Sequence, residues 1–167
     1  MNRNRTTALT DLVCNMEVNS DDICLDYQGK HYVFCSNQCL ERFQSNPHLY
    51  IGYPGSEAPK HAGKEIIKTR TLKLAEPLPQ EVADRVVDYL KNMMGTHYVE
   101  INEDRIDITY DFLQATESQI EAAIINAGAI LNDNWPEKLK RILVHYTEDT
   151  EAVTLEAKPP LRRGHHH

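Results

Sequence analysis

Three cysteines constrain this chain more than any other feature: Cys14, then twenty residues, then Cys35 and Cys39 with three residues between them. A unit of about forty residues buries too little apolar surface to hold together on that basis alone. Thiols at this spacing can converge on one soft or borderline metal ion, which would supply the missing stability. The pair at 35 and 39 brackets a strand-to-helix turn, and Cys14 arrives from a separate turn.

The local pattern around the thiols is readable. Ile23 to Tyr27 and Lys30 to Phe34 flank Gln28-Gly29, a tight-turn pair. That turn sets 24 opposite 33, 25 opposite 32 and 23 opposite 34. Alternation then puts Ile23, Leu25, Tyr32 and Phe34 on one apolar face, and Cys24, His31, Val33 and Cys35 on the other. Ser36 caps a short helix to about Gln44 with Cys39 in its first turn, where the helix dipole favours a thiolate. Leu40 and Phe43 bind that helix to the apolar face.

With its neighbours the pattern reads Asp11-Leu12-Val13-Cys14-Asn15-Met16, then Tyr32-Val33-Phe34-Cys35-Ser36-Asn37-Gln38-Cys39, then Arg42-Phe43 and Asn46-Pro47-His48-Leu49-Tyr50. This resembles the YHS domain, one of the TRASH-like heavy-metal-handling modules, over residues 11–51. The resemblance implies one thiophilic ion, Cu(I) or Zn(II), held by Cys14, Cys35 and Cys39. The fourth ligand stays open. Cys24 is an extra thiol on the face of Cys35; Met16 matches the family's Cys-x-Met phrase, and its thioether suits Cu(I). Core or surface roles are the plain alternatives for both, and an exposed strand position is the plain reading of His31.

The remaining composition narrows the function classes. The chain has 167 residues, 41% of them hydrophobic, and a formal charge of −7. No apolar run approaches a membrane span, so membrane insertion is not expected. The acidic balance argues against a nucleic-acid grip. The N-terminal Met1 to Thr7 is basic without an apolar segment behind it, which reads as no secretory signal and a cytoplasmic protein with reduced thiols. No feature arranges a catalytic triad, an oxyanion hole or a phosphate-binding loop, so an enzyme is not expected.

Residues 52–64, rich in Gly and Pro, read as a linker to a second, cysteine-free unit over 65–149. Its order is strand (65–75), helix from Pro79 to Gly95, strands 98–101 and 106–110 around Asn102-Glu103-Asp104-Arg105, a Thr116/Gln119 capping-box helix to Gly128, and a short strand at 129–131. That is the βαββαβ order of a ferredoxin-like fold. Gly95-Thr96-His97-Tyr98-Val99-Glu100-Ile101 and Gln119-Ile120-Glu121-Ala122-Ala123-Ile124 are similar to heavy-metal-associated domains of copper chaperones and metal-transporting ATPases. Where such domains carry Met-x-Cys-x-x-Cys, this chain has Ala75-Glu76-Pro77-Leu78-Pro79-Gln80, so the resemblance implies a fold and withdraws its metal site.

A C-terminal helix from Trp135 carries Leu139, Ile142, Leu143 and Tyr146 as a stripe, expected to pack on the second unit's sheet or else to mediate dimerisation. From about residue 150 to 167 the chain reads as a polar, flexible tail. The whole is an α+β chain whose expected role is metal homeostasis, resistance or delivery. The ferredoxin-like unit would then dock a metal transporter or chaperone domain, or a second copy of the chain. The alternatives are an interaction module with a purely structural zinc and a metal-responsive regulator.

Overall fold

A computed structural model describes residues 9–157. The basic N-terminal segment and the last ten residues of the expected tail lie outside the described residues. The described residues are mixed α and β, with three small sheets among them.

Strands β1 (Leu9–Thr10) and β2 (Glu17–Val18) form a minimal hairpin that lifts residues 11–16 into a loop. Asn15 takes a left-handed conformation (φ 64°) in that loop, which reverses the chain in so few residues. Strands β3 (Cys24–Tyr27) and β4 (Lys30–Val33) pair in the expected register, Cys24 opposite Val33 and Leu25 opposite Tyr32. Helix α1 (Asn37–Ser45) starts at Ser36, whose hydroxyl accepts from the Cys39 amide. Its Phe43 sits at the centre of a core with Phe34, Leu49 and Tyr50, closed below by Ile23, Leu25 and Tyr32. Helix α2 (His48–Ile51) follows directly.

The second unit runs β5 (Ile67–Lys73), α3 (Gln80–Lys91), β6 (Thr96–Asn102), β7 (Arg105–Asp111) and α4 (Glu117–Asn126). Its antiparallel sheet has the order β5-β7-β6. The expected fourth strand at 129–131 is a single bridge, Leu131 to Leu74. The Ala75 amide donates to Ile130 O and the Asn132 amide to Lys73 O on either side of that bridge, and Ala129 and Leu131 are buried while Ile130 is exposed, so the segment lies antiparallel against the end of β5 over a very short stretch. Leu72, Ile106, Ile108 and Tyr110 face α3 and α4, while Thr69, Thr71 and Thr109 leave the other face polar and exposed.

Helix α5 (Trp135–Glu156) departs from expectation twice. It continues through residues read as a loose tail, and it packs with the face opposite the predicted stripe. Glu148, Ala152 and Leu155 turn inward, whereas Leu139, Ile142, Leu143 and Tyr146 are exposed. Polar groups fix this orientation: Glu148 accepts from the Tyr110 hydroxyl and the Glu117 amide, and Glu151 pairs with Lys68 at 2.6 Å.

The segment 52–64 is not a free tether. Ala58 is buried, the Lys60 amide donates to Leu49 O, and a Cβ on Gly52 (φ 63°) would meet Ser56 O at 2.6 Å. The two units also interlock directly. Gln38 on α1 donates to Met94 O (2.8 Å) and Gln114 O (3.1 Å) and accepts from the Met94 amide. Arg42, 1% exposed, donates to Phe112 O at 3.2 Å and lies 5.0 Å over the Phe112 ring. The Tyr50 hydroxyl donates to Leu113 O, and Leu113 belongs to the N-terminal core.

Candidate metal centre

Two loops and one helix start bring three thiols together. Cys14 Sγ lies 3.4 Å from Cys35 Sγ, which lies 3.7 Å from Cys39 Sγ. Thiolates on one tetrahedral zinc, with Zn–S near 2.3 Å, sit about 3.8 Å apart. At 3.4 and 3.7 Å these two separations are close enough to that figure for the three sulfurs to share one thiophilic ion. Cys39 is buried, and Cys14 and Cys35 are partly exposed, so the cluster opens to solvent on one edge.

Asp11 completes the group: its carboxylate and the three sulfurs all lie within 4.8 Å of one another. The cysteine spacing alone does not point to Asp11. The available signal was an Asp three residues before a ligand cysteine, the position from which an Asx turn can order the loop. Asp11 is wholly buried. Its Oδ1 accepts from the amides of Val13 (2.8 Å) and Cys14 (3.4 Å), and its Oδ2 accepts from the Cys35 amide at 2.8 Å. One carboxylate therefore fixes both ligand loops, and its remaining lone pairs offer an oxygen donor. Asp11→Asn exchanges an acceptor oxygen for a donor nitrogen that faces these amides. We expect metal affinity to fall about ten- to hundredfold, as for other groups that orient ligands, checked by competition with a chromophoric chelator.

The thiols are unequal. A hydrogen bond from Cys39 holds the Cys14 thiol down at about 7, against the opposing effect of burial. Burial pushes Cys35 up to about 11, while the hydrogen bond to Cys14, followed by burial, raises Cys39 further. Cys14 is therefore the first of the three to ionise, beside two thiols that hold their protons more firmly. A cation held by these thiols would displace the protons on Cys35 and Cys39, so acid would oppose its binding.

Cys24, named as a fourth ligand, is exposed and stands outside the cluster. Alternation places it on the face of Cys35, but the last cross-hairpin bond runs from the Phe34 amide to Ile23 O, and Cys35 lies beyond it with its amide on Asp11 Oδ2. Met16 is 47% exposed; its backbone carbonyl, accepting from the Asp11 amide, closes the loop. His31 is on the exposed hairpin, 2.6 Å from Asp26.

A family model described as "YHS domain" matches residues 9–53. The YHS match covers every residue of the thiol cluster. No curated protein and no solved structure matches the chain.

Glu117, Glu121 and His145 also converge. Here two guanidinium groups already supply the positive charge: Arg70 lies 3.3 Å from Glu117 and Arg141 lies 3.6 Å from Glu121. The cluster reads as an ion-pair network joining β5, α4 and α5. Burial, ahead of the charges of Glu121 and Glu148, raises Glu117 to about 7. A folded pKa above the unfolded one means that the native state holds the extra proton. The contribution is thus fully present below the unfolded value and is lost as pH rises through about 7. Glu117→Gln, which keeps the shape without the buried charge, should be more stable than the parent by about 1–3 kcal/mol above pH 7.5. The gain should vanish near pH 4.5, as read by urea denaturation at both values.

Proposed function

We propose that this chain binds one thiophilic metal ion through Cys14, Cys35 and Cys39, with Asp11 supplying an oxygen or holding the loops. The convergence of three sulfurs at 3.4 and 3.7 Å on a buried carboxylate carries this reading. The oxygen donor and the exposed Met16 thioether favour Zn(II) over Cu(I), which prefers sulfur throughout. The partly exposed edge at Cys14 and Cys35 suits an ion that exchanges, and so a role in homeostasis or delivery with no catalytic step. The βαββα order, with strand order β5-β7-β6 and the Leu131 bridge beside β5, supports a ferredoxin-like second unit. It would act as the docking side of the molecule.

A second reading keeps the ion as scaffold. The buried Cys39 and the close fit of Phe43 behind it favour that reading, because losing the metal would then loosen the core. The deciding measurement is elemental analysis of chain truncated before His165, purified without an affinity tag from cells supplied with copper and zinc. We expect one zinc per chain, lost in Cys35→Ser with the helical signal retained. Exchange with a competing chelator in the folded state supports a transferable ion; release only on unfolding supports the scaffold. Absence of metal from the parent chain overturns both.

A further inference from the structure

Helix α5 presents its apolar stripe to solvent. Trp135 (70% exposed), Leu139, Ile142, Tyr146 and Val153 follow one another along it, with Asp149 as the single charged residue in the series. The steps between 135, 139, 142, 146, 149 and 153 alternate four and three, the spacing of a two-helix seam.

The charges say what covers it. The first half of α5 holds Lys138, Lys140 and Arg141 against Glu137, while the second half holds Glu148, Asp149, Glu151 and Glu156 and no base. This runs against the helix's own dipole, which favours acids at the start and bases at the end. Several of these groups are accounted for within the chain: Glu148 and Glu151 meet Arg70 and Lys68, Glu156 holds the His48 amide, and Arg141 meets Glu121. Among the described residues, the exposed Lys138, Lys140 and Asp149 have no ion-pair partner within 4.0 Å.

We propose that the outward face of α5 is the contact through which two copies of this chain pair, their α5 helices antiparallel about an axis beside Val144. In that register Trp135 meets Val153 of the second copy and Ile142 meets Tyr146, while Leu139 meets Asp149 in the one polar layer of the seam. The basic half of each helix then lies along the acidic half of the other, and Lys138 comes beside Asp149 of the second copy. A parallel pair would instead set Asp149 against Asp149 and Lys138 against Lys138, which is repulsive. The seam is remote in sequence from the thiol cluster and does not depend on metal.

The test is sedimentation velocity of the full chain over a concentration series, with reductant present to exclude disulfide pairing. A reversible dimer is expected, and Ile142→Asp should raise its Kd by more than about tenfold. Lys138→Glu and Asp149→Lys should each weaken it several-fold, and the two together should restore it. All three positions are exposed, so circular dichroism should stay at the parent level. A monomer at every concentration overturns the proposal and leaves the face to a different protein. A dimer indifferent to Ile142→Asp, or charge variants that fail to rescue each other, overturns the seam or its direction.

Discussion

Phe43→Ala is expected to destabilise the chain by about 3–5 kcal/mol, the largest effect of any single side chain in the N-terminal unit. The ring is fully buried, with Tyr32 at 5.0 Å, Phe34 at 5.2 Å, and Tyr27 and Tyr50 each at 6.0 Å. Truncation therefore removes the centre of an aromatic cluster whose surrounding rings, held by a hairpin, a helix and a cap, cannot all move in to fill the space. Phe43 also lies one helical turn beyond Cys39 on the same buried face of α1. Its loss should loosen the docking of the helix that presents the buried thiol, so metal affinity should fall together with stability. Chemical denaturation and chelator competition on the same variant read both. A stability loss below about 1 kcal/mol, within the range of surface substitutions, would mean that the aromatic cluster does not hold α1.

Local structure was legible where one residue's chemistry has a single local use. The Gln28-Gly29 turn carried the hairpin register, because a two-residue turn leaves little choice of pairing, and Gln28 and Gly29 both take positive φ. Ser36 and the Thr116/Gln119 capping box marked helix starts for the same reason. The cysteine spacing singled out the three thiols that converge.

What the sequence hid depends on tertiary contacts. Cys24 follows strand alternation, which holds through Phe34, but Cys35 lies beyond the last cross-hairpin bond, where its amide donates to Asp11. Asp11 itself looks like any loop aspartate until its two oxygens are seen on three amides of two loops. The face that α5 buries was misread because hydrophobicity alone decided it. Tyr110, Arg70 and Lys68 orient that helix through Glu148 and Glu151, so the apolar side faces out. The supposed linker is ordered by backbone bonds and by the close approach at Gly52, which composition does not report.

The interlock between the units would make an ion held by the thiol cluster a concern of the whole chain. Gln38 and Arg42 sit on α1, in the helix that carries Cys39, and both end on backbone carbonyls of the second unit. Arg42 is a buried cation whose Nε donates to Phe112 O, whose Nη1 donates to Asn46 Oδ1 at the end of the same helix, and whose plane lies over the Phe112 ring; any shift of α1 strands Phe112 O. An ion bound only by the folded thiol cluster stabilises the native state by about 4 kcal/mol at a free concentration a thousandfold above its Kd. If α1 transmits that stabilisation, amides of β7 that open by global unfolding should gain nearly the same protection when zinc is added, although no ligand residue lies in β7. In Gln38→Ala with Arg42→Ala the gain at β7 should fall below that of the amides of residues 9–53, because α1 then no longer ties the units and only contacts such as Tyr50 to Leu113 O remain. Hydrogen exchange on both proteins, with and without zinc, reads this directly. Protection confined to the N-terminal unit in the parent chain would show that the contacts through Gln38 and Arg42 do not couple metal occupancy to the second unit.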